Sequence, residues 1–130
     1  MDKSLKTAQK LIENAYAPYS NFRVASVLTL RNGEQEVGVN VENASYGLTN
    51  CAERTALFAA YAKGYRKEDI ESIMIYTDKP YFVSPCGACR QVMKELLTDD
   101  CEVILANKNG EFKTLINKDL LPHGFSQEDL

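Results

Sequence analysis

Ile70-Glu71-Ser72-Ile73-Met74-Ile75-Tyr76-Thr77 is the stretch that decides the fold. Apolar side chains at four consecutive positions, 73–76, leave an extended strand on both faces, so this strand needs a covering layer above and below it. The neighbouring segments supply helices. Before it, Cys51 to Gly64 carries Leu57, Phe58 and Tyr61 at helical spacing, with Thr49 or Asn50 available as N-cap and Gly64 as the C-terminal stop. After it, a loop from Asp78 to Pro85 leads into a helix over 87–97, with Val92, Leu96 and Leu97 on its buried side.

Further out, the region from Arg23 to Leu30, the turn Arg31-Asn32-Gly33-Glu34 and the alternating Val37, Val39 and Val41 read as a hairpin. The segment from Cys101 to Ala106, the turn Asn107-Lys108-Asn109-Gly110 and the segment from Glu111 to Ile116 read as a second hairpin whose last strand lies at an edge. Leu5, Ala8, Leu11, Ile12 and Ala15 make a first helix, capped by Asp2 or Ser4 and closed at Pro18. The order is α-β-β-α-β-α-β-β. Five strands with crossover helices predict an α/β fold, a mostly covered sheet with helices on both faces. No repeat or linker divides residues 1–130, which read as a single domain.

Composition excludes several classes. The chain has 130 residues, 45% hydrophobic and 25% charged, which is a globular composition at a length that needs no disulfides to hold a core. A net charge of -3 with scattered Lys and Arg argues against a phosphate-neutralising groove, so no nucleic-acid partner is expected. There is no apolar leader and no run of about 18 apolar residues, so no membrane partner and a cytoplasmic location are expected. The four cysteines then call for another explanation.

Three of them sit where helices begin: Cys51, and Cys86 and Cys89 within Pro85-Cys86-Gly87-Ala88-Cys89. A helix N-terminus favours the thiolate, which is the form that binds metal. Three thiolates would hold a tetrahedral zinc and leave its fourth position open to water. Glu53 beside Cys51 suits proton transfer, although two residues along an ideal helix is a rotation of about 200°. Three thiolates on one divalent ion leave net negative charge, which a cation bonded to sulfur would offset; Arg54 and Arg90 are candidates, with Arg54 favoured.

Cys-Ala-Glu-Arg-Thr-Ala at 51–56 and Pro-Cys-Gly-Ala-Cys-Arg-Gln at 85–91 resemble the homotetrameric zinc-dependent cytidine deaminases, whose signature is a metal ligand, any residue, Glu, then Pro-Cys-x-x-Cys. The resemblance runs from Tyr16-Ala17-Pro18-Tyr19-Ser20 through Asn40-Val41-Glu42-Asn43-Ala44 to Leu120-Leu121-Pro122 and Phe125. It implies a three-layer α/β/α sandwich with a mixed five-stranded sheet. It also implies one Zn2+ per chain and hydrolysis of cytidine and 2′-deoxycytidine to uridine, 2′-deoxyuridine and ammonia, in pyrimidine salvage, by a zinc-bound hydroxide with Glu53 as proton shuttle.

Residue by residue, the resemblance implies that Asn40 and Glu42 hold the ribose and that Phe22 packs on the nucleoside. Glu53 and the backbone of Ala52 and Ser84 would hold the base. Ala44, Tyr46 and Phe125 would reach a neighbouring subunit's site in a homotetramer. Ala25-Ser26 departs from the family's usual Gly-Ala and bears on substrate preference.

Other readings stand beside these. Cys101 or His123 as a fourth ligand would make a closed structural zinc site, and Cys86 with Cys89 a redox dithiol. Asn40 and Glu42 could be solvated strand-end residues, and Phe125 an anchor in its own core. Blasticidin S is the alternative substrate.

Overall fold

Each apolar run becomes a strand of one sheet in the computed structural model, which describes residues 1–130. The elements are α1 (Asp2–Leu11), β1 (Val24–Leu30), β2 (Gln35–Val39), α2 (Ala52–Ala62), β3 (Ile70–Thr77), α3 (Gly87–Leu96), β4 (Glu102–Ala106) and β5 (Phe112–Ile116). The sheet order is β2-β1-β3-β4-β5. Only β3 and β4 pair in parallel, because α3 carries the chain back between them, and the other pairs are antiparallel.

Strand β3 is central, as its sequence requires. Met74 and Tyr76 pack with Ala25, Val27, Ile104 and Ala106 against Ala8 and Ile12 on the α1 side. Ile73 and Ile75 face the other way, where Leu28, Leu30, Val103 and Leu105 meet Ala56, Leu57 and Ala60 of α2, Met93 of α3 and Leu97 just after it. Two cores back to back across one sheet make the three-layer α/β/α sandwich. No helix is long and apolar enough to cross a membrane.

One glycine sets how close α2 comes. A Cβ on Gly38 of β2 would fall 2.5 Å from the Ala56 nitrogen and 2.6 Å from the Ala52 oxygen, so the first turns of α2 rest directly on this strand.

The helix starts differ from the expected ones. Helix α1 begins at Asp2 with Met1 as N-cap, so neither Asp2 nor Ser4 caps it; Ser4 is buried and its hydroxyl pairs with that of Thr29 at 3.2 Å. The helix narrows into a 3-10 turn over Ile12–Asn14. Strand β2 stops at Val39, and Val41 makes only isolated bridges to Tyr16 and Asn50. Thr49 and Asn50 do not cap α2, because each side chain has another partner. Thr49 Oγ1 accepts from the Asn43 N–H at 3.1 Å, and Asn50 Nδ2 donates to Thr55 Oγ1 at 3.0 Å.

Candidate active site and metal centre

Both α2 and α3 are capped by a cysteine. Cys51 precedes α2 in extended conformation (φ -76°, ψ 156°), and Cys86 precedes α3 likewise (φ -68°, ψ 167°), its sulfur accepting the Cys89 N–H at 3.4 Å. The two helix starts lie at the sheet edge where β1 begins and β2 and β3 end, so both positive dipole ends face one point.

Cys51, Cys86 and Cys89 bring their sulfurs within 4.8 Å of one another, and Cys51 Sγ lies 3.8 Å from Cys86 Sγ. A tetrahedral zinc with Zn–S bonds of about 2.3 Å separates its sulfurs by about 3.8 Å. The donor set therefore fits zinc in both chemistry and span. Neither alternative fourth ligand joins the group. Cys101 is buried at the start of β4 with its thiol directed at the Glu71 carbonyl 3.7 Å away, and His123 is exposed in the C-terminal segment. Three protein donors with a fourth position left over is the arrangement of catalytic zinc.

One of the three sulfurs, that of Cys51, is held toward the thiolate. Hydrogen bonding from Cys89, and then from Arg54 and Cys86, outweighs burial and brings the Cys51 thiol down to about 5, while the same pairing and burial push Cys89 up. Arg54 Nη2 donates to Cys51 Sγ at 3.4 Å. Arg90 is engaged elsewhere, bonding the Pro85 carbonyl at 2.8 Å, the Leu120 carbonyl at 2.9 Å and Ser84 Oγ at 2.5 Å. Of the two candidate cations, Arg54 is the one at sulfur.

Glu53 is only 4% exposed. Burial pushes its carboxyl up from the ordinary value, and the negative charge of Cys51 adds to this. The two residues converge because Cys51 stands outside the helix, in extended backbone, so the rotation of an ideal helix does not separate them.

A cavity of about 300 Å³ opens over this cluster. Among the expected residues, Phe22, Asn40, Glu42, Glu53 and Ser84 line it together with Cys51 and Cys86. Asn40 is buried, its Oδ1 accepting the Val24 N–H at 3.0 Å and its Nδ2 donating to the Phe22 carbonyl at 2.8 Å. It is not a solvated strand-end residue. Glu42 accepts the N–H groups of Tyr19 and Ser20 at 2.9 and 3.1 Å, and the Ser20 hydroxyl as well. The Ser20 hydroxyl holds the Glu42 carboxyl below the usual range.

Ser20, Val24, Thr49 and Val83 complete the lining and were not expected there. For Ser20 a signal existed: its place in the Pro18-Tyr19-Ser20 turn, with donors free to hold a carboxylate. Four of the residues expected to bind substrate lie outside the cavity of this chain. Ala52 sits in the core under α2. Ala44 is exposed, as are Tyr46 at 78% and Phe125 at 55%, so Phe125 does not anchor its own core. Tyr46 meets Tyr19 edge-on at 6.3 Å between ring centroids.

A covered mixed sheet with a three-thiolate metal site at one edge, open in its fourth position beside a buried glutamate, defines the class of zinc-dependent hydrolytic deaminases. Within that class, the chain belongs to the family of the cytidine and deoxycytidylate deaminase zinc-binding region, whose model matches residues 1–105. Cytidine deaminase of Halalkalibacterium halodurans is 48% identical over 132 residues, covering 100% of this chain and 98% of that protein. A probable cytidine deaminase of Dictyostelium discoideum is 44% identical, covering 100% of this chain and 86% of that protein. Among solved structures, cytidine deaminase from Burkholderia pseudomallei superposes with a TM-score of 0.90 at 48% identity, covering 95% of this chain and 98% of that one. Zinc is the family's metal, and Cys51, Cys86 and Cys89 are positioned to hold it.

Proposed function

We propose that residues 1–130 act as one deaminase domain that hydrolyses cytidine and 2′-deoxycytidine to uridine and 2′-deoxyuridine with release of ammonia, a step of pyrimidine salvage in the cytoplasm. The observation that carries this reading is the buried Glu53 in a cavity floored by Cys51 and Cys86 and walled by Phe22, Asn40 and Glu42. Cys51, Cys86 and Cys89 would hold zinc, which would supply Lewis acidity to make the attacking water more acidic.

The remaining steps belong to side chains of the chain. Phe22 packs on the nucleoside, and Asn40 and Glu42, lining the same cavity, hold the ribose hydroxyls. The backbone at Ser84, which lines the cavity, holds the base. Glu53 takes a proton from the attacking water and places it on N3 of cytosine as oxygen adds to C4. It then carries the second proton to the C4 amino nitrogen, which leaves as ammonia. A carboxyl raised by burial suits this work, since it holds and releases a proton nearer neutrality than an exposed one. Arg54 stays cationic at Cys51 and offsets the charge of the thiolates.

The exposed Tyr46 and Phe125, with Ala44, complete a neighbouring subunit's site in a homotetramer. What supports this is their exposure, since large apolar side chains left in water mark contact surfaces.

Ammonia release from cytidine, 2′-deoxycytidine, blasticidin S and a cytosine-containing oligonucleotide tests the reading. The expected result is turnover of the two nucleosides alone. Turnover of blasticidin S or of the oligonucleotide instead would overturn it.

A further inference from the structure

The segment from Asp78 to Pro85 borders the cavity, to which it contributes Val83 and Ser84. Both of its ends are tied down. Arg23 Nε and Nη2 donate to Asp78 Oδ2 at 3.1 and 2.6 Å, and the Lys108 N–H donates to the Lys79 carbonyl at 3.0 Å. At the far end Arg90 donates to Ser84 Oγ at 2.5 Å and to the Pro85 carbonyl at 2.8 Å. Residues 80–83 between these ties make no hydrogen bond, and no helix or strand forms there.

One contact ties this span to another lining residue. The Tyr81 ring stacks on Phe22, with centroids 6.3 Å apart and planes at 24°. Phe22 lines the cavity and packs against the core on its inner side, whereas Tyr81 does not line the cavity and is about half exposed. Tyr81 therefore meets Phe22 from outside. It fixes the plane of a ring that lines the cavity and ties that ring to the span that carries Val83 and Ser84.

We propose that Tyr81 is a positioning residue that sets nucleoside affinity by holding Phe22 and the 80–83 span in place, without touching the reacting atoms. The inference rests on the nucleoside reading above. Loss of the stack lets the wall open before substrate binds and leaves the zinc site and Glu53 as they were. It acts on KM and not on kcat. An aromatic pair of this kind is worth about a two- to tenfold change in an equilibrium. The Tyr81 hydroxyl has no hydrogen-bond partner, so phenylalanine preserves the contact.

The test compares wild type, Tyr81→Ala and Tyr81→Phe in two ways: steady-state kinetics with cytidine, and the rate of chymotrypsin cleavage after Phe82, which is present in all three. The expected result for Tyr81→Ala is KM raised about two- to tenfold at unchanged kcat, with faster cleavage, and for Tyr81→Phe wild-type values of both. Unchanged KM, a loss confined to kcat, or failure of Tyr81→Phe to restore KM would overturn the proposal. A wild type that leaves cytidine untouched overturns the nucleoside reading, and with it the affinity claim. The cleavage rates then report only whether the stack holds the segment.

Discussion

Cys51 Sγ lies 3.8 Å from Cys86 Sγ although the two residues are 35 apart in the chain. Each is the N-cap of its helix, and the sheet brings the two helix starts to one edge. The spacing is that of two sulfurs on one tetrahedral zinc, so the fold itself sets the metal geometry.

Replacing Cys51, Cys86 or Cys89 by serine removes one of three donors and should abolish bound zinc, leaving none after dialysis against a weak chelator. Cys101→Ser and His123→Ala should keep one zinc per chain. Metal analysis of the five variants by mass spectrometry checks both statements.

Arg54→Met removes the charge and the donor at Cys51 Sγ while leaving all three ligands. Loss of a partner bonded to a metal ligand costs about 10- to 100-fold in metal affinity or activity. Competition with a chromogenic chelator and kcat on cytidine should show a loss of that size. Arg90→Gln, which unties Ser84 and Pro85 and does not touch sulfur, should leave zinc affinity unchanged.

Asn40→Ala leaves the buried Val24 N–H and Phe22 carbonyl without their side-chain partner. An orphaned buried group costs about 1–3 kcal/mol, so the urea midpoint should fall by a corresponding amount. Phe22 loses an anchor at the same time, so KM for cytidine should rise.

Much of this was legible in the sequence, and the rest fails for identifiable reasons. Strand β3 was readable because its run at 73–76 feeds both cores, and the hairpins because Gly33 and Gly110 take the positive φ that their turns require. The cysteine cluster and the buried glutamate beside it were readable from a short local motif. The helix caps were not, because the choice among neighbouring Thr49, Asn50 and Cys51 is made by Asn43 and Thr55, which occupy the first two. Ser20 and Val83 were missed because they reach the cavity on loops whose path depends on ties to distant segments, such as Ser20 to Glu42 and Arg90 to Leu120. Ala44, Tyr46 and Phe125 lie outside the cavity of the single chain, so its packing gives them no place in the site.

Glu42 gives the acid limb of stability a definite sign. Its folded pKa lies below the ordinary value of 4.5, chiefly through the Ser20 hydroxyl. Its contribution is therefore present above the unfolded pKa and is lost as pH falls through the lower folded one. The melting temperature of Glu42→Gln should fall below that of wild type at pH 6, and the gap should close as pH is lowered past 4.5. A series of thermal melts across that range measures it.

The most direct test of the central claim is zinc content and turnover of Glu53→Gln, measured on one preparation beside wild type. Glutamine keeps the shape and leaves Cys51, Cys86 and Cys89 untouched but cannot shuttle a proton. The account predicts one zinc per chain and a fall in kcat on cytidine of at least about 10²-fold. A variant that holds its zinc and still turns over cytidine near the wild-type rate would contradict it.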